Sequence, residues 1–234
     1  MEPKQVVCIT GGARRLGRAL AEQLLASGYR VVVHCNTHCS EMKDMNPDCA
    51  VVQGDLTKSD GLGELFSQMV SCFGRVDHLI NNASIFPSIP IEQTTLEVYQ
   101  EVMDIHSTAP FFLAKELYLH LKKRGATGSI INMVDTKVAS PTASRPAYYC
   151  AKGALLAQTK ALAVALAPVL RVNAISPGLV LSNGEDGYFS KMAESLPLEH
   201  TGTPQDIVET VLFLLASFFV TGVEIAVDGG QRLL

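Results

Sequence analysis

The chain has 234 residues, 47% of them apolar and 18% charged, with a net charge of −4 at neutral pH. That length suits one α/β domain over residues 1–234, with a sizeable core and no composition break to mark a second. Lysine and arginine form no basic block, Ile207–Val220 is too short and carries Glu209, and the N-terminus lacks a signal-peptide layout; nucleic acid and membrane are excluded as partners and a cytoplasmic protein is expected.

Gln5–Ile9 is a continuous apolar run ended by Thr10-Gly11-Gly12, as in a strand buried on both faces. Leu16, Ala19, Leu20, Gln23 and Leu24 share one face of a helix that Gly28 closes. Arg30–His34 and Ala50–Gln53 read as the second and third strands, Asp60–Phe73 as a helix, and Asp77–Ile80 as the fourth strand. Asn81-Asn82-Ala83-Ser84 then opens a loop, and two further helices are expected near Leu96–Asp104 and Ser107–Lys123. Ser129–Met133 is the fifth strand, Ala147–Ala167 a long helix, and Arg171–Ile175 a sixth strand stopped by Ser176-Pro177-Gly178. Residues 182–202 read as a movable loop with a short helix. Thr203 caps a helix over Pro204–Ala216, and Glu224–Val227 is the closing strand. This alternation predicts a doubly wound α/β Rossmann domain, a mostly parallel seven-stranded sheet with helices on both faces. Residues 1–85 form its nucleotide-binding half and 86–234 its catalytic and substrate half.

The six cysteines show no CxxC and no disulfide-framework spacing. His34-Cys35-Asn36-Thr37-His38-Cys39 holds four potential metal ligands, but strand alternation turns His34 and Cys35 to opposite faces and no second half of a site exists. No metal is expected.

Thr10 to Gly17 joins the first strand to the first helix in a TGxxxxxG spacing. Gly11 allows the sharp turn, Gly17 lets helix and sheet approach, and the helix start offers free N–H groups to a pyrophosphate. The end of the second strand carries no Asp or Glu to hold ribose hydroxyls. Arg14 and Arg15, with Thr37, His38 and Ser40, can instead accept a 2′-phosphate, so NADPH is the expected coenzyme. Asp55 reads either as an acceptor for the adenine amino group or as a cap for the segment after it.

Tyr148 and Lys152 stand four apart on one helix, so both emerge on one face. A neighbouring ammonium lowers a phenol's pKa, and the pair is expected to donate the proton that accompanies hydride transfer. Tyr149 is a weaker choice, since position 153, where its lysine would fall, is glycine.

The glycine turn, Asn81-Asn82-Ala83, Tyr148-x-x-x-Lys152, Pro177-Gly178 and Asp228-Gly229-Gly230 together resemble the short-chain dehydrogenase/reductase family over the whole chain. Three departures resemble its pteridine reductase and dihydromonapterin reductase branch: Arg15 for the middle glycine, Ser84 for the glycine of NNAG, and Asp135 for the catalytic serine. The resemblance implies that Leu16, Leu56, Asn82, Ala83, Met133, Pro177, Gly178 and Leu179 line the coenzyme together with Tyr148 and Lys152. It also implies that Ser84 touches both ligands and that Phe86 stacks on a pterin. His106 falls where the family has a catalytic asparagine, and reads either as part of a proton relay or as a helix histidine with a backbone partner. A homotetramer joined through residues 107–123 and 147–167 is the family's usual state, and Arg232 is a further residue for a neighbouring site.

Asp135 has chemical content of its own. An ionised carboxylate accepts hydrogen bonds and repels a carbonyl oxygen, so it suits a substrate presenting N–H or a protonatable ring nitrogen. The expected activity is therefore NADPH-dependent reduction of a pterin-type or dihydrofolate C=N bond, with the proton passing through Tyr148 or a water bound to Asp135. The alternatives are a 3-oxoacyl-type carbonyl reductase and a non-catalytic NADP-binding sensor.

Overall fold

In the computed structural model, which describes residues 3–37, 39–42, 46–181 and 186–234, the apolar runs become seven strands. They are β1 (Val6–Ile9), β2 (Arg30–Cys35), β3 (Cys49–Gln53), β4 (His78–Asn81), β5 (Gly128–Met133), β6 (Leu170–Pro177) and β7 (Glu224–Val227). They form one sheet in the order β3-β2-β1-β4-β5-β6-β7, with every neighbouring pair parallel. The helices are α1 (Arg15–Ala26), α2 (Leu62–Phe73), α3 (Leu96–Met103), α4 (Ala109–Arg124), α5 (Pro146–Ala165), α6 (Asp186–Glu194) and α7 (Pro204–Ala216).

Both faces of the sheet are covered, which is why its strands read as unbroken apolar runs rather than alternating ones. On one face Leu65, Phe66 and Met69 of α2 meet Leu113 and Leu117 of α4 over Val6 and Cys8. On the other, Leu20 and Leu24 of α1 and Val211 and Leu214 of α7 cover Val7 and Ile9. Strand order reverses between β1 and its two neighbours β2 and β4, and the carboxyl ends around that point form the crevice where ligands collect in such sheets.

The structure adds a link between the two expected helices and corrects one expectation. Residues 104–108 make a π-helical turn that joins α3 to α4, and Ala109 N–H donates to Asp104 O five residues back. One extra residue in the turn shifts the phase of the apolar pattern, which reads as a break in the sequence. Cys35 and Cys39 are joined by a disulfide. The 3₁₀ turn at Cys39–Met42 folds back on the end of β2 and brings their Cα atoms to 5.7 Å, within the range such a bridge needs.

Candidate active site

The cavity begins at the turn after β1. Gly11 has φ +62°, and a Cβ there would lie 2.8 Å from Ala83 Cα. A Cβ on Gly17 would lie 2.3 Å from Gly11 O, so only glycine lets α1 approach this turn. Thr10 Oγ1 accepts from Asn82 N and Ala83 N, both at 3.0 Å. Asn82 Nδ2 returns bonds to Thr10 O at 3.0 Å and Gly11 O at 3.1 Å. These four bonds fix the ends of β1 and β4 against each other.

Arg15 takes φ +51°, a left-handed conformation that costs a side-chain-bearing residue roughly 1–2 kcal/mol and that glycine adopts freely. The position where the family carries glycine thus keeps a glycine-like backbone under an arginine side chain. The first turn of α1 contains no acidic residue, so its positive end stands open to an anion.

His34 is 1% exposed and ties this wall together. Its Nδ1 accepts from Gly11 N at 3.4 Å, and its Nε2–H donates to Gly54 O at 3.0 Å. Burial lowers its pKa to about 4, so it serves as a neutral strut. With Cys35 and Cys39 bridged as well, three of the four potential metal ligands in this run are committed elsewhere. Asp55 Oδ1 accepts from Thr57 N at 2.9 Å and from Thr57 Oγ1 at 2.8 Å, an Asx turn that precedes the next helical segment. These bonds hold its carboxyl below the usual range.

At the far end, Tyr148 Oη donates to Asp135 Oδ2 at 2.9 Å, and Lys137 N donates to Asp135 Oδ1 at 2.7 Å. Lys152 is 2% exposed, and its Nζ donates to Met133 O at 2.6 Å. Burial lowers its pKa to about 8. Burial, followed by the charge and hydrogen bond of Asp135, pushes the Tyr148 phenol well above its ordinary value. This reverses the expected direction. The ammonium is turned onto Met133 O, 5.8 Å from the phenol ring centre, whereas the carboxylate bonds the hydroxyl directly.

Phe86 meets Tyr148 edge to face at 4.7 Å, and the Arg145 guanidinium lies 4.0 Å from the Phe86 ring centre. His106 Nε2 accepts from Ile85 N at 3.3 Å and therefore also from Ser84 Oγ at 3.0 Å, leaving Nδ1–H to donate to Val102 O at 2.9 Å. Burial lowers its pKa to about 3. Both nitrogens are thus engaged in holding the Ser84–Ile85 loop beside Tyr148.

One cavity of about 680 Å³ gathers these groups. Gly11, Arg14, Arg15, Leu16, Gly17, Thr37, Asp55 and Leu56 line its nucleotide end. Asn82, Ala83, Ser84, Phe86, Met133, Asp135, Tyr148, Lys152, Pro177, Gly178 and Leu179 line the rest. His106 stands behind Ser84 rather than on the cavity wall. His38 and the side chain of Ser40 lie outside the described residues. Sequence reasoning missed Thr10, His34, Thr136 and Gln231; Thr10 and Gln231 adjoin motifs already noted, whereas nothing in the sequence marks His34 as a strut.

Lys152 gives the site a pH dependence. Its ammonium is present below about pH 8 and lost above it. The value of kcat/KM for the reduced coenzyme, which reports the free protein, should therefore fall as pH rises through about 8. A profile flat to pH 9.5 would show that the ammonium is not needed.

Residues 11–232 match the family model described as enoyl-(acyl carrier protein) reductase. A granaticin polyketide synthase putative ketoacyl reductase 2 from Streptomyces violaceoruber is 32% identical, covering 98% of this chain and 96% of the relative. The dihydromonapterin reductase of Enterobacter sp. (strain 638) is 31% identical, covering 99% and 98%. Among solved structures, FolM alternative dihydrofolate reductase 1 from Brucella canis, complexed with NADP, superposes with a TM-score of 0.91 at 32% identity, covering 98% of this chain and 95% of that one.

Proposed function

The chain belongs to the short-chain dehydrogenase/reductase family, an oxidoreductase family, and within it we propose that this protein is an NADPH-dependent reductase of a dihydropterin or dihydrofolate C=N bond. The observation that carries the reading is the bond from Tyr148 Oη to Asp135 Oδ2 inside the cavity. A serine there would donate to a carbonyl oxygen; a carboxylate accepts from N–H and disfavours a carbonyl. The likeness to the dihydromonapterin reductase and to the Brucella protein supports the same choice.

NADPH fits the residues present. The start of α1 has no acidic group, Arg14 and Arg15 bring positive charge, and Asn36-Thr37 follows β2 without a carboxylate. NADPH supplies the hydride when bound. The protein's part is to hold the heterocycle and provide the proton. Asp135 orients a substrate N–H, Tyr148 carries a proton on Oη that passes to the ring nitrogen, and Lys152 lies behind the ring to stabilise the resulting phenolate. The raised phenol pKa keeps that proton in place until substrate is bound. C=N plus hydride plus proton gives CH–NH.

Arg15→Gly keeps the left-handed backbone and removes the charge. It should raise the Kd of NADPH about tenfold, leave the Kd of NADH unchanged, and not lower Tm, which ligand titration and thermal melting would read. An equal loss of affinity for both coenzymes would contradict the 2′-phosphate assignment.

The reading itself is tested by NADPH oxidation with dihydropterins, dihydrofolate and a 3-oxoacyl thioester in parallel. Turnover of a dihydro-heterocycle at least about a hundredfold above the thioester is expected; the reverse order would favour the ketoacyl reductases. The proposal extends to a homotetramer, supported by the exposed Phe111 and Phe112 of α4 and Val164 of α5.

A further inference from the structure

Gln231 belongs to none of the roles assigned above. It begins the C-terminal 3₁₀ turn Gln231–Leu233, is 5% exposed, and lines the cavity beside Gly178. Its Oε1 is buried and has no hydrogen-bond partner among the described residues. Burying a side-chain carbonyl without a donor is unfavourable, so the group calls for a donor that a molecule bound in the cavity can supply.

The turn that carries it is firmly held. Asp228 Oδ1 accepts from Gly230 N at 2.9 Å, and its Oδ2 accepts from Arg232 N at 3.0 Å and from Thr136 Oγ1. Gln231 N donates to Asp228 O at 3.0 Å. Thr136 directly follows Asp135, so the C-terminal turn is bolted to the segment that bears the carboxylate. Opposite, a Cβ on residue 178 would come 2.9 Å from Gln231 Oε1. Gly178 therefore leaves the space the amide occupies.

We infer that Gln231 is a ligand-binding residue whose Oε1 accepts a hydrogen bond from an N–H of a heterocycle bound at the catalytic end of the cavity. Two ligands offer that chemistry: the carboxamide of a reduced nicotinamide and the amino-lactam edge of a dihydropterin. The substrate arm rests on the proposed pterin reading; the coenzyme arm does not.

The test uses the full chain and two variants, Gln231→Met, which lacks the acceptor, and Gln231→Glu, which keeps one. NADPH affinity is followed by the coenzyme's own fluorescence, and the KM of a dihydropterin is measured at saturating NADPH. Gln231→Met should raise one of these about tenfold with kcat within about twofold, and Gln231→Glu should restore it to within about threefold. A higher NADPH Kd assigns the donor to the coenzyme; a higher KM alone assigns it to the substrate. The unaltered protein provides a second readout. It should bind the acetylpyridine analogue of NADPH, or a dihydropteridine lacking the 2-amino group, about tenfold more weakly than the parent ligand. Wild-type-like constants in Gln231→Met, equal losses in both variants, or full affinity for both analogues would overturn the inference. If no dihydropterin is turned over, the pterin reading fails, and the coenzyme arm alone decides Gln231.

Discussion

Tyr148→Phe should lower the turnover of a dihydropterin by more than about a hundredfold, while the Kd of NADPH stays within about threefold of wild type. The variant deletes one oxygen, the atom that donates to Asp135 Oδ2 at 2.9 Å. The ring remains packed against Phe86 and His106 at 4.7 and 5.3 Å, so the shape of the site is kept. What is lost is the proton held at Oη. Because burial and Asp135 raise the phenol's pKa, the hydroxyl stays protonated, and its removal takes away the proton donor rather than a titrating group. Steady-state kinetics and fluorescence titration separate the two effects. Turnover within tenfold of wild type would move the proton-donating role to another group.

Asp135→Ser has a different signature, since it exchanges an acceptor for a donor at the same point of the cavity wall. Dihydropterin turnover should fall by more than about a hundredfold, and reduction of a simple ketone should rise from its wild-type level. The carboxylate's removal also frees Tyr148 from the charge that raises its pKa, so the variant's pH profile should shift to lower pH. The structure around the change is local: Asp135 also caps the short turn Thr136–Val138 through Lys137 N at 2.7 Å, a bond that serine can keep. Loss of both activities together would mean that the substitution disturbs the turn rather than the choice of substrate.

Much of this architecture was legible in the sequence because its signals are local. β1 and β5 lie under helices on both faces and so appear as continuous apolar runs. Thr203 and Pro204 mark the start of α7 by their own chemistry, and Asp206 Oδ2 accepts from both Thr203 N and Oγ1 at 2.6 and 2.8 Å. The cavity residues were legible for a topological reason: they sit at the carboxyl ends of neighbouring parallel strands, where the chain must collect them.

What escaped the sequence depends on contacts across the fold. The π-helical turn at residues 104–108 adds one residue to a helical phase, which periodicity alone reads as a gap. The Cys35–Cys39 bridge needs the backward fold of a short turn that no motif announces. The direction of the Tyr148 shift is set first by burial and then by Asp135, which bonds the hydroxyl, and the four-residue spacing on α5 speaks only for the lysine. Gln231 follows a recognised Asp-Gly-Gly motif, yet its unpaired oxygen becomes visible only once the C-terminal turn is docked on Thr136.

The most direct test of the central claim, reduction of a C=N bond in a nitrogen heterocycle, is the fate of the transferred hydrogen. With NADPH deuterated at the nicotinamide C4 and a dihydropterin as substrate, mass spectrometry and NMR should find one deuterium on a ring carbon adjacent to nitrogen in a tetrahydropterin. In a second reaction that also contains a simple ketone, deuterium found only on the carbinol carbon of the reduced ketone, with the dihydropterin unchanged, would contradict the account.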